Sequence, residues 1–230
     1  MQKNEIKVKK EIKRGSRNLY TGFALLALFA IWTLLIQTVD VQPAGVSGTN
    51  IGLSTFNCWF HRITGVHMWI YTLTDWLGLV PIFVCLLFAT VGLVQLCKRK
   101  SLLKVDNDLL LLGLYYMVVI FCYLAFEMLP INYRPILIEG RLEASYPSST
   151  TLLVLSVMPT LVMQAKRRLK QAHIKQAITL LTMLFSISMV VGRLIAGVHW
   201  VSDIVGSILL SAGLFYLYLA STLLCCKKDH

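Results

Sequence analysis

Residues 109–126 read LLLLGLYYMVVIFCYLAF, eighteen consecutive positions without a charge. As a helix this run would rise about 27 Å at 1.5 Å per residue, close to the roughly 30 Å of a bilayer's hydrocarbon core. Acidic residues stand at its edges, Asp106 and Asp108 before it and Glu127 after it. A run of this kind reads as a membrane-spanning helix. Working outward, similar runs cover residues 19–39, 77–97, 148–165, 176–192 and 204–226. The fourth and fifth are short, and their reading leans on the pattern of the others. The first is longer than the 7–15 residues of a signal-peptide core, so it reads as a retained anchor.

The whole composition agrees. Of 230 residues, 57% are apolar and only 14% charged, where a soluble domain carries about 25% charge. Disorder and a soluble globular domain are both excluded. The fold class expected is all-α: a polytopic membrane protein of six transmembrane helices. The domain expected is 19–226, between a basic N-terminal segment, 1–18, and a short tail, 227–230.

The net charge of +11 would suggest nucleic acid in a soluble protein. Here its location explains it. Eighteen of the 22 Lys and Arg fall in the N-terminal segment, the second and fourth loops and the tail. Only Arg62, Arg134, Arg141 and Arg193 fall on the other side. That asymmetry is a positive-inside signal. It predicts cytoplasmic termini in a multi-pass protein of the cell membrane, with anionic lipid headgroups rather than nucleic acid as partners of the basic loops.

The first outer loop, residues 40–76, begins with Pro43, Gly45, Gly48 and Gly52 and then turns aromatic. Residues 56–71 read as one or two helices lying in the membrane interface, with His61, Arg62, His67 and Asp75 near the surface. They could touch a lipid headgroup, but a solvated helix face is the plainer reading of all four. The six cysteines show neither a disulfide framework nor metal-ligand spacing, so no metal site is expected. Cys225 and Cys226 could carry palmitate. Two small residues closing an apolar helix is the plainer reading.

Ionisable residues at span ends concentrate function, and on the outer side they gather in residues 127–146 and 193–203. In the second stretch His199 and Asp203 are four apart, on one face if a helix begins there. A carboxylate accepting from one imidazole nitrogen would leave the other as base or nucleophile. Arg193 and Arg134 offer planar donor forks suited to phosphate oxygens. Ser148 and Ser149 precede a helical run, and its N-terminus would present free N–H groups to an anion. A capped helix alone would explain the serines. Two arginines, a helix N-terminus and a His–Asp pair on one face together describe an oxyanion site, most naturally for phosphate.

These residues resemble the type 2 phosphatidic acid phosphatase superfamily of integral membrane lipid phosphatases. The family pattern is Lys, six residues, Arg-Pro; then Pro-Ser-Gly-His; then Ser-Arg, five residues, His, three residues, Asp. The chain has Gly192-Arg193, five residues, His199, three residues, Asp203. It keeps Arg134-Pro135, with Glu127 where the family has Lys, and reads Pro147-Ser148-Ser149-Thr150, with Thr150 where the family has His. The resemblance implies six spans with the motifs on the outer face and a hydrolase of phosphoric esters or anhydrides working without a cofactor. It implies that His199 attacks phosphorus, Asp203 orients it, and Arg134, Arg193, Ser148 and the amides around Ser149 hold the phosphoryl oxygens. Thr150 cannot protonate a leaving group as the family's His does.

The leaving group sets the cost of that loss. A phosphomonoester expels a strongly basic alkoxide, and without an acid the step slows by roughly 10²–10⁴. A lipid diphosphate expels a lipid phosphate, whose second pKa is about 6, and needs no acid. Thr150 therefore favours a lipid diphosphate, such as a polyprenyl diphosphate, unless water, Tyr146 or Glu143 supplies the proton. Three alternatives remain open. One is a lipid phosphotransferase using the same His/Asp pair. Another is a non-catalytic lipid-phosphate-binding relative. The last is an unrelated transporter, which the clustering of ionisable residues at one face disfavours.

Overall fold

A computed structural model describes residues 2–225 of the chain. Cys226 and the whole expected tail, residues 227–230, lie outside the described residues, as does the side chain of Cys225. Among the described residues eight α-helices follow in order: α1 Gln2–Thr38, α2 Ser54–Thr64, α3 Met68–Leu77, α4 Leu79–Arg99, α5 Asn107–Met128, α6 Ser149–Arg168, α7 Ala172–Ile195 and α8 Val201–Cys225. Among the described residues, β pairing is limited to three isolated bridges.

Helix α1 carries no boundary at residue 19. The basic stretch is built from Lys, Arg and Glu, which are good helix formers, so it continues unbroken into the apolar run. The aromatic stretch expected at the interface is helical in two pieces, α2 and α3, broken at Gly65 (φ 68°). α3 then meets α4 across Gly78, whose φ and ψ of −61° and −16° are helical. Residues Met68–Arg99 thereby form one long apolar stretch.

Among the described residues, five stretches are long and apolar enough to cross a membrane: Val8–Thr38, Met68–Arg99, Asn107–Met128, Ala172–Ile195 and Val201–Leu224. The fourth expected run, now α6, is not among them. Its position explains its composition. α6 packs against α4, α5, α7 and α8, and Leu152, Val154, Val157 and Met158 are buried with Thr151, Ser156, Thr160 and Gln164. A helix enclosed by protein needs no lipid-facing surface, so it can carry polar side chains that lipid would disfavour. The Tyr115 hydroxyl donates to the Ser156 carbonyl at 3.0 Å, and Tyr116 and Thr160 share a hydrogen bond of 2.6 Å. Pro159 inside α6 is tolerated in the same enclosed setting.

The bundle has two chemically different ends. At one, Arg168 of α6 grips Asp108 of α5 through two contacts of 2.9 and 3.0 Å, and Asp106 pairs with Arg99 at 2.9 Å and Arg168 at 3.3 Å. At the other, Trp32 of α1 donates to the Ser202 carbonyl at 3.0 Å, and Asn57 of α2 donates to the Ser202 hydroxyl at 3.0 Å. The α7–α8 turn and the 129–148 loop lie at this second end.

Candidate active site

His199 lies in the turn before α8 and Asp203 in the first turn of α8. Both are buried. The expected direct hydrogen bond between them is absent. Nδ1 of His199 stands 3.8 Å from Oδ2 of Asp203, beyond hydrogen-bond range. Ser145, from the loop before α6, stands between them. Its carbonyl lies 3.1 Å and its hydroxyl 3.2 Å from His199 Nδ1, and the same hydroxyl donates to Asp203 Oδ2. The Trp200 N–H donates to that carboxylate oxygen at 2.8 Å. Trp200 is itself fixed by its indole, which donates to the Tyr133 carbonyl at 2.8 Å.

Nε2 of His199 is buried and has no hydrogen-bond partner among the described residues. Unpartnered buried groups are uncommon and call for an explanation. Among the other buried atoms without a partner are Arg134 Nη1, Arg193 Nε and Ser148 Oγ.

Each arginine is held by groups that leave part of its guanidinium unpaired among the described residues. Arg134 meets Glu143 at 3.2 Å through Nη2 and the Ala144 carbonyl at 3.4 Å through Nε. Arg193, only 1% exposed, meets Asp75 at 3.6 Å and Thr74 Oγ1 at 3.5 Å, both through Nη1. Both guanidinium carbons lie near one aromatic ring, that of Tyr71 in α3, at 5.8 Å for Arg134 and 5.1 Å for Arg193. The ring's negative faces suit cations that would otherwise repel each other. Glu127 takes no part in this. It is exposed at the end of α5, and among the described residues it forms no ion pair with either arginine.

Ser148 is the N-cap of α6, and its side chain makes no capping bond. Its N–H points to the Asp203 carbonyl at 3.4 Å, and its own carbonyl accepts from Ser207 Oγ at 2.9 Å. Ser149, Thr150 and Thr151 form the first turn of α6, where N–H groups lack intrahelical carbonyls. Thr150 is buried, and its methyl packs toward Gly78 at the α3–α4 junction.

Tyr146, a possible proton source from sequence, is committed elsewhere. Its hydroxyl bonds Thr33 at 2.7 Å, and its ring stacks on Phe29 at 6.1 Å. Burial pushes its phenol above its ordinary pKa. Gly206 makes room for that ring, since a Cβ there would fall 2.4 Å from Tyr146 Cε2. Glu143, the other suggested source, is the ion-pair partner of Arg134.

Burial, and then the charges of Arg134 and Arg193, hold the His199 pKa well below its ordinary value of about 6.5. The imidazole is therefore neutral at physiological pH, with a lone pair on one nitrogen. The arrangement brings an unprotonated imidazole, two guanidiniums and a helix N-terminus to one buried place, which suits an anion at a nucleophile.

Sequence reasoning named His199, Asp203, Arg134, Arg193, Ser148, Ser149 and Thr150, and all seven lie at this end of the bundle. It missed Ser145, Tyr71 and Thr74. Ser145 stands two residues before Pro147, but no spacing rule links it to His199, 54 positions away. Tyr71 and Thr74 lie on a helix whose aromatic surface reads as membrane-facing.

Comparison with known proteins fits this geometry. A model of the PAP2 superfamily matches residues 16–224. No curated protein sequence matches. Among solved structures, the chain is similar in fold to a transmembrane PAP2-type phosphatidylglycerolphosphate phosphatase from Bacillus subtilis, with 18% identity and a TM-score of 0.62. That likeness covers 86% of this chain and 94% of the other. With the family model matched over nearly its whole length, the chain belongs to the PAP2 superfamily.

Proposed function

We propose that the protein is a membrane-embedded lipid phosphatase that works through a phosphohistidine. The observation that carries this is the set of buried, unpartnered atoms around His199: its own Nε2, Arg134 Nη1, Arg193 Nε and Ser148 Oγ. A phosphoryl group would give each donor a partner and bring phosphorus to Nε2. In the first step the Nε2 lone pair forms a bond to phosphorus while the phosphorus–oxygen bond to the lipid breaks. In the second, water adds to phosphorus, the phosphorus–nitrogen bond breaks, and inorganic phosphate leaves. The arginines and the amides of Ser149, Thr150 and Thr151 serve charge that grows on the equatorial oxygens. Family membership supports the same chemistry, and the likeness to a phosphatidylglycerolphosphate phosphatase suggests a lipid phosphate as substrate.

The proposal includes a topology. The enclosed helix α6, about 30 Å long for its 20 residues, acts as a sixth span shielded from lipid. α2 lies at the interface. The basic loops and both termini are cytoplasmic, and His199 faces the other side.

The leaving group is the finer question. Thr150 has no proton to give at neutral pH, Tyr146 is bonded to Thr33, and Glu143 is paired with Arg134. A diphosphate, such as a polyprenyl diphosphate, asks least of this site. The test is phosphate release from a panel of lipid monophosphates and diphosphates by purified protein, wild type beside His199→Ala. Release abolished by His199→Ala, and faster from diphosphates, is the expected result. Equal release from phosphatidate and polyprenyl diphosphate would remove the diphosphate preference. Release that survives His199→Ala would remove the mechanism.

A further inference from the structure

We infer that Ser145 is a positioning residue that links Asp203 to His199 in place of a direct contact between them. The inference rests on the phosphohistidine reading above and adds a residue that lies outside the family's three motifs. The geometry leaves few other arrangements. A carboxylate is acceptor-only, so the contact between Ser145 Oγ and Asp203 Oδ2 uses the single hydroxyl proton of Ser145. That hydroxyl oxygen, 3.2 Å from His199 Nδ1, is then left to accept. The Ser145 carbonyl, 3.1 Å from the same nitrogen, can only accept. Two acceptors on one ring nitrogen require that Nδ1 carry the proton. The lone pair falls on Nε2, the atom without a partner.

The same contacts serve the intermediate. When Nε2 bonds to phosphorus the ring gains positive character and the Nδ1–H becomes a stronger donor. Its acceptors are the two oxygens of Ser145, one of them polarised by the Asp203 carboxylate. No proton crosses from Nδ1 in this scheme. Ser145 is buried, and its backbone N–H donates to the Asn132 carbonyl at 2.9 Å, which fixes both oxygens in place. The side chain therefore holds a carboxylate with one hand and an imidazole with the other, and it touches neither substrate nor leaving group.

A double-mutant cycle tests this with the full-length protein in detergent or vesicles and a lipid phosphate or diphosphate that the wild type hydrolyses. Ser145→Ala should lower kcat on the order of tenfold to a hundredfold and leave KM within about twofold, because no contact to the phosphoryl group is lost. Asp203→Asn should lower kcat by more. In the Asp203→Asn background, Ser145→Ala should cost about twofold or less, since both residues act along one path. Multiplicative losses, or a Ser145→Ala enzyme within twofold of wild type, would overturn the inference. A second measurement needs no variant. Nitrogen-15 NMR of histidine-labelled wild-type protein at neutral pH should show His199 protonated at Nδ1, and protonation at Nε2 alone would overturn it equally. His199→Ala in the same assay separates the two claims. If it abolishes turnover while Ser145→Ala stays within twofold of wild type, only the link fails. If it retains turnover, the phosphohistidine reading itself is wrong.

Discussion

Two residues decide what this site can do with a leaving group and at what pH. By the motif order read from the sequence, Thr150 falls at the position of the family's acid. Thr150→His would set an imidazole, of ordinary pKa about 6.5, at the start of α6. Phosphomonoester hydrolysis should rise by about tenfold or more while diphosphate hydrolysis changes little. A folded Thr150→His protein with unchanged monoester turnover would count against the missing-acid argument. Glu127 needs a smaller claim, because it is exposed and pairs with neither arginine. The second residue is His199, whose pKa burial and two arginines depress. Its imidazole should stay neutral as pH falls through 6.5, and an NMR titration of the ring should show no protonation at pH 6. Ring protonation near 6.5 would contradict it. The unfolded chain binds this proton more readily than the native one, so stability from this group is complete above about pH 6.5. It is lost as pH falls from there toward the depressed native value.

At the scale of elements, the site depends on how two turns meet. Gly197, in the α7–α8 turn, has φ 70°, and a Cβ there would fall 2.0 Å from the Gly65 carbonyl oxygen between α2 and α3. Alongside it, the His67 N–H donates to the Ala196 carbonyl at 3.0 Å, and His61 Nε2 lies 3.1 Å from the Gly197 carbonyl. Gly197→Ala adds backbone strain and a backbone clash two residues from His199. It should cost about 2–4 kcal/mol in stability and lower kcat sharply, read by thermal melting and turnover. A variant with wild-type melting and rate would show that the close approach is unimportant. None of this was legible in the sequence, where Gly65 and Gly197 are unremarked glycines 132 positions apart. The apolar spans were legible because lipid imposes one requirement on every exposed side chain. α6 was the weakest of them because it faces protein, where Thr160 and Gln164 are as acceptable as Leu. The positions of Arg193, His199 and Asp203 were legible because their spacing is local. The serine between His199 and Asp203 was not, because a long-range contact leaves no local period.

For the whole molecule, the two ends of the bundle carry different chemistry: an ion network among Arg99, Asp106, Asp108 and Arg168 at one, and the phosphate-suited site at the other. The excess of Lys and Arg at the first end predicts that it faces the cytoplasm. In a Cys58→Ser background, Glu139→Cys should react with an impermeant thiol reagent in intact cells, and Ser101→Cys should not. The reverse pattern would invert the topology and move the site to the cytoplasmic face. The central claim is narrower than topology: phosphorus passes through Nε2 of His199. The most direct test is mass spectrometry of purified enzyme quenched during turnover on a lipid phosphate or diphosphate that it hydrolyses. Phosphate on His199, with no label and no turnover in His199→Ala, is the predicted result. Turnover with His199 unmodified and phosphate carried on another residue would contradict it.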